Sequence, residues 1–230
     1  MNQQIRLFGA IAVRPAVLPL LSQFETARGF TVAAQWALNP AVKKQIEAGE
    51  AFDLVITNPN LVQDLTALGK IKAGSEVAFG RIAMGVAAKA GSRPLDIGSV
   101  EAFAHALKSA RSIAYASDGT SGGYFSGLLE SLGIANEVKP KLVAISGGQT
   151  APAVGRGEAE LGVVPVTSIL AAAPEVMLVG QFPAELQSYI DFAIGISADS
   201  TDAEAAQQLS KFLTSTAVDD ILAAKGVERC

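Results

Sequence analysis

An α/β fold in two lobes, each a mostly parallel sheet flanked by helices, is what this sequence predicts. Three observations carry that expectation. Short apolar runs alternate with amphipathic stretches at helical spacing, the pattern of βαβ units. Half of the residues are hydrophobic but only 6% are aromatic, and abundant Ala, Val, Ile and Leu suit helices packed on a parallel sheet. The alternation then gives way at two β-like stretches, where a chain would cross from one lobe to the other.

The elements follow in order. Ile5-Arg6-Leu7-Phe8-Gly9 reads as a strand. Pro15 to Ala27 reads as a helix, with Val17, Leu20, Leu21 and Phe24 at helical spacing. Thr31 to Trp36 is a second strand, Pro40 to Ala48 a second helix, and Asp53 to Ile56 a short buried strand. A helix from about Asn60 to Leu68 precedes the first crossing, FGRIAMGVAAK at 79–89. Strand and helix return at Ser112 to Tyr115, Ser121 to Leu132, Lys141 to Ala144, Gln149 to Arg156 and Glu160 to Val164. The second crossing, Asp191 to Ser197, leads into two closing helices, Asp202 to Leu213 and Ala217 to Ala224. The expected lobes are 1–80 with 195–230, and 81–194 inserted between them, with a ligand cleft between the two.

Composition excludes several functions. A net charge of −4 without a long run of either sign gives no clustered Lys and Arg for nucleic acid. No stretch approaches the roughly 18 apolar residues of a membrane span, so direct membrane insertion is not expected. Cys230 and His105 are the only residues of their kinds. No internal disulfide can form, and a Cys/His zinc site is ruled out; no metal and no cofactor are expected. Met1 to Gln4 is polar and runs straight into a strand, without the apolar stretch of a signal peptide. The expected location is the periplasm if a leader was removed and the cytoplasm if the chain is complete as translated.

In open α/β sheets, ligands bind at the carboxyl ends of strands, where helix starts present free N–H groups. Four junctions qualify. At Gly9 to Pro15, Pro15 suits a first helical position and Arg14 falls at the cap. A cation there opposes the helix dipole unless an anion joins it. At Leu38-Asn39-Pro40, Asn39 suits the cap and Pro40 the first turn, which capping alone explains. The third junction, Ser117-Asp118-Gly119-Thr120-Ser121-Gly122-Gly123-Tyr124, is the most distinctive. Glycines and small hydroxyls there let backbone N–H groups close around an anion, which points to Thr120, Ser121 and Gly122. Ser146-Gly147-Gly148-Gln149-Thr150 is a sparser loop of the same type, with Gly148 and Gln149 as candidates.

Gly119-Thr120-Ser121-Gly122-Gly123 also matches the G-x-S-x-G elbow of serine hydrolases. That chemistry needs a histidine after the serine and acid, whereas His105 precedes Ser121 on a helix that reads as exposed. The triad cannot be completed in that order. Neither a Walker A sequence nor G-x-G-x-x-G is present.

IRLFGAIAVRPAVLPLLSQFE, VKKQIEAGEAFDLVI, GRGEAELGVVPVTSIL and SKFLTSTAVDDILAAKGV resemble the molybdate-type periplasmic solute-binding proteins over essentially the whole chain. AIAVRPAV, GKIKAGSEV and FPAELQSYIDFAIGI resemble a branch of that family that includes aconitate isomerase. The resemblance implies the two-lobed type II binding fold, a small anionic ligand and, if the chain is exported, a membrane permease as partner. Where molybdate binders present hydroxyls, this chain has Ala12, then Leu38 and Asn39, and Pro165 and Val166 in place of a tyrosine. A carboxylate suits Arg14 better than molybdate does, because guanidinium pairs with it through two bonds. The branch also implies an alternative: an isomerase shifting a proton along an unsaturated carboxylate. Asp118 and Tyr124 are then the candidates for the base.

Overall fold

The computed structural model describes residues 4–146 and 148–229. The expectations that fall on Met1 to Gln3, Gly147 and Cys230 lie outside the described residues. The chain begins β1 (Gln4–Ala10), α1 (Arg14–Arg28), β2 (Thr31–Ala37), α2 (Asn39–Glu47), β3 (Leu54–Thr57) and α3 (Pro59–Ala67). β4 (Val77–Lys89) leads into α4 (Val100–Ser109), β5 (Ile113–Ala116), α5 (Thr120–Ser131), α6 (Ala135–Val138) and β6 (Leu142–Ile145). α7 (Thr150–Arg156), β7 (Leu161–Pro165), α8 (Val166–Ala171) and β8 (Val176–Gln181) follow. β9 (Tyr189–Ile196), α9 (Ala203–Leu213), α10 (Asp219–Ala224) and β10 (Val227–Glu228) close the chain. Contacts divide it into two compact units: residues up to Arg81 together with those from Asp191 onward, and Ile82–Ile190.

In the first unit the strand order is β2-β1-β3-β9. β1 is parallel to both neighbours, whereas β9 runs antiparallel to β3. A strand that is not reached by a βαβ crossover is free to run that way, so the sheet is mixed at this side. Side chains alternate along β1. Phe8 joins Phe52, Val55, Val42 and Ile46 in one cluster, with the Phe8 and Phe52 rings 5.9 Å apart. On α1, the four apolar residues that mark its period are all buried. Phe24 meets Phe30 and Phe212 of α9, each with 5.6 Å between ring centres.

Two polar knots tie this unit together. Asp53, 2% exposed, accepts bonds from the Arg6 backbone N–H (2.8 Å), Arg6 Nε and Nη2 (2.9 Å each) and Ser200 Oγ (2.8 Å). Burial pushes its carboxyl upward, but the bonds from Arg6 and Ser200 and the Arg6 charge outweigh that and hold it below the usual carboxylate range. Near the chain's end, Arg229 pairs with Asp219 at 2.8 Å and lies 5.6 Å from the Phe79 ring centre. Its Nη2 donates to the carbonyls of Leu213 and Ser215.

In the second unit β5 lies between β6 and β7, parallel to both, while β4 runs antiparallel to β7 and β8. Ala114, Val154 and Ala159 pack under the parallel strands, and the Phe103 and Phe182 rings meet at 4.7 Å. Helix α5 comes down on β5 at Gly122. A Cβ built there would lie 1.8 Å from the Ala116 carbonyl oxygen, so only glycine permits this approach. Gly122→Ala is expected to cost about 2 kcal/mol of stability, at the middle of the overpacking range. Urea denaturation at neutral pH measures it, and an unchanged midpoint would disprove the packing argument.

Candidate functional site

The carboxyl edge of the first sheet is a level row. Ala10 pairs with Ala37, and Gly9 pairs with Ile56, which puts Thr57 beside Ala10. Beyond Ala10 the chain does not wait for a cap. A 3-10 turn, Ile11–Val13, runs directly into α1, so Arg14 is the first helical residue and Pro15 the second. The expected cap at Arg14 is corrected to Val13, whose backbone is already helical (φ −88°, ψ −11°). The turn makes this substitution: its own backbone prepares the helical geometry that a cap would otherwise start. No side chain caps α1 and no acid lies in its first turn. Arg14 is exposed and has no ion pair among the described residues. Ala12, within the turn, is half-buried.

Asn39 is corrected in the same sense. Leu38 is the cap, extended at φ −65° and ψ 147°, and Asn39 and Pro40 are the first two residues of α2. Asn39 is 8% exposed. Its side chain turns to the end of β3, where Oδ1 accepts a bond from Thr57 Oγ1 at 2.8 Å. A residue bonded sideways to a neighbouring strand cannot cap its own helix.

In the second unit Ala116 is level with Ile145, and Tyr115 with Val163. Three helices therefore start from one carboxyl edge: α5 at Thr120, α7 at Thr150 and α8 at Val166. Gly119 caps α5 in an extended conformation without any side-chain bond. Thr120 is exposed. Ser121 is 7% exposed, and its hydroxyl has no hydrogen-bond partner among the described residues. Gly122 lies beneath them against Ala116. Gly148 takes a left-handed turn (φ 82°), and Gln149, exposed, closes it through an N–H bond to the Ser146 carbonyl at 3.1 Å. Pro165 ends β7 buried opposite Met84 and caps α8.

Two further groups lie in this unit, one without a partner among the described residues and one engaged. Thr150 is 2% exposed and its Oγ1 has no partner among the described residues. Leaving such a group unsatisfied costs about 1–3 kcal/mol. The Tyr124 hydroxyl donates to the Leu186 carbonyl at 2.7 Å, and burial pushes its pKa up. Its proton is thus held, which makes Tyr124 a poor base in this state. Asp118 is exposed on the loop before α5. His105 is also exposed, with Nε2 3.4 Å from Ser109 Oγ on its own helix. Thr57 and Thr150 were not among the expected site residues. Thr57 had one signal: it is the single polar residue of its strand, Leu54-Val55-Ile56-Thr57.

Residues 5–228 match the bacterial extracellular solute-binding proteins. The chain belongs to that family. Among its relatives, aconitate isomerase from a Pseudomonas species is 29% identical over 176 residues, 76% of this chain and 66% of that protein. This solute-binding chain thus spans just under two thirds of that relative's length. Among solved structures, the periplasmic molybdate-binding protein of Azotobacter vinelandii superposes with a TM-score of 0.82 at 20% identity, covering 97% of this chain and 98% of that one. The substrate-binding domain of a putative molybdenum ABC transporter from Clostridium difficile gives 0.76 at 16% identity, covering 100% of each. At such identities the likeness speaks for fold, and the fold is that of the two-lobed periplasmic binding proteins. Among the described residues of this solute-binding protein, no helix is long and apolar enough to cross a membrane.

Proposed function

We propose that this solute-binding protein takes up a small organic anion, a di- or tricarboxylate rather than molybdate, at the carboxyl edges of its sheets. It would act in the periplasm and hand its ligand to the membrane permease of an ABC-type uptake system. The observation that carries this reading is the start of α1, where Arg14, without an ion pair among the described residues, stands at a helix N-terminus with no side-chain cap and no acid in the first turn. Positive dipole and guanidinium coincide there, and an anion relieves both. Ala12 and Leu38 offer no hydroxyl protons along that row, whereas a planar guanidinium matches a planar carboxylate. Thr120, Ser121, Gly148 and Gln149 offer polar side chains and a left-handed glycine turn at the second unit's own edge. Calorimetry with succinate, citrate, trans-aconitate, sulfate and molybdate tests the reading. A carboxylate is expected to bind tightest; tight molybdate binding with no carboxylate binding would refute it.

A second reading is favoured by the identity to aconitate isomerase. On that reading the bound acid is unsaturated, and Asp118, rather than the engaged Tyr124 hydroxyl, takes a proton from the carbon next to the double bond and returns it to the far alkene carbon as the double bond shifts. Proton NMR of cis-aconitate in D2O separates the two. Appearance of the trans isomer, with deuterium incorporated, supports the enzyme; unchanged spectra beside measurable binding support the receptor.

A further inference from the structure

We propose that Thr57 is a positioning residue that makes the Asn39 side chain a donor-only contact for an oxygen of the bound anion. The inference rests on the function proposed above, since it assigns a role within the same edge. Thr57 ends β3 with no exposed surface, level with Ala10 and one residue short of the α3 cap at Asn58. Its Oγ1 donates to Asn39 Oδ1 at 2.8 Å, with both groups buried. That bond decides which way the amide faces. The hydroxyl donates to Oδ1, which holds that oxygen inward and leaves Nδ2 turned away with its two protons.

Among the described residues Nδ2 has no partner. Asn39 is also the first residue of α2, whose opening N–H groups have no acceptors within the helix. Asn39 Nδ2 and the opening N–H groups of α2 are therefore donors side by side at this corner. Such a corner accepts an ionised carboxylate or another oxyanion oxygen and refuses an O–H or N–H. Packing alone would be served by valine, which has the same shape and the higher strand preference. A fully buried hydroxyl earns its place only through the bond that it makes.

A double-mutant cycle tests this, read by calorimetry with citrate, succinate and trans-aconitate. Thr57→Val is expected to weaken the tightest of these by about tenfold, the scale of one neutral hydrogen bond, and Thr57→Ser to restore it. In an Asn39→Ala background the same Thr57→Val change is expected to cost less than about twofold. Equal losses in both backgrounds would make Thr57 merely structural and overturn the proposal. Asn39→Asp keeps the bond from Thr57 but replaces the donor by an acceptor, and is expected to weaken binding by about thirtyfold or more. Unchanged binding in Asn39→Asp would overturn the donor role. The lock is also read without ligand, from the NMR signals of the Asn39 side-chain amide, which Thr57→Val should shift or broaden. Signals unchanged by Thr57→Val would overturn the lock itself. A wild-type chain that binds none of the acids would refute the proposed function, and this ligand-free measurement would then decide the lock alone.

Discussion

Arg14→Ala is expected to weaken binding of the tightest carboxylate by roughly 2–3 kcal/mol, or about thirty- to hundred-and-fifty-fold, the worth of a charge-assisted contact. The side chain is exposed and has no ion pair among the described residues, so this loss would come from the complex and not from the fold. Stability should hold or rise by a few tenths of a kcal/mol, because a cation at a helix start opposes the dipole. Arg14→Lys should recover only part of the binding, since an ammonium cannot make the planar two-pronged contact. Ser121→Ala should cost less, about 1 kcal/mol, for one neutral hydrogen bond. Calorimetry and denaturant melts on the same samples give both quantities. Normal binding in an easily unfolded Arg14→Ala would make Arg14 structural and move the anion site elsewhere.

Arg6→Ala is expected to give the largest loss of stability, about 3 kcal/mol at neutral pH, because it strips the partner from a buried carboxylate. Asp53 would keep only the Arg6 backbone N–H and Ser200 Oγ. The pH dependence follows from the direction of the Asp53 shift. In the wild type its folded pKa lies below the ordinary value. Its stabilising contribution is thus complete above about pH 4 and is lost as pH falls through the lower, folded value. In the variant, burial acts with much less opposition and raises the folded pKa, so the charged form costs stability at neutral pH. The deficit of Arg6→Ala should therefore shrink on acidification as Asp53 takes up a proton. Denaturant melts at pH 7 and pH 4 measure this, and an equal deficit at both would count against the charge argument.

Much of the fold was legible because period is a local property. α1 shows its buried face in Val17, Leu20, Leu21 and Phe24, and β1, β2 and β3 show apolar strands between turns. α8 was not, since six residues make fewer than two turns and leave no period to read. Both helix starts were placed one residue late, because proline is tolerated at the second helical position as well as the first. There too its missing N–H would have had no partner. Asn39 could have been a cap or a first-turn residue; its bond to Thr57, 18 residues away, decides. The loops around Ser121 and Gly148 were visible in their glycines and hydroxyls. The engagement of Tyr124 by Leu186, 62 residues on, and the isolation of Thr150 Oγ1 arise only from tertiary packing.

The knot at Asp53 has a consequence for the order in which this protein comes off the ribosome. Arg6 and Asp53 are made early, but Ser200 is 147 residues downstream of Asp53, and Asn58 waits 133 residues for the Asp191 carbonyl. The segment from Ile82 to Ile190 is contiguous and can condense as it emerges. The first unit stands with its β3 edge open until β9 arrives, and non-local closure of this kind is slow. A chain that ends at Ile190 and has left the ribosome should thus carry a protease-resistant second unit tethered to a first unit that is still cleavable. Extending it from Asp191 through β10 should make both resistant together.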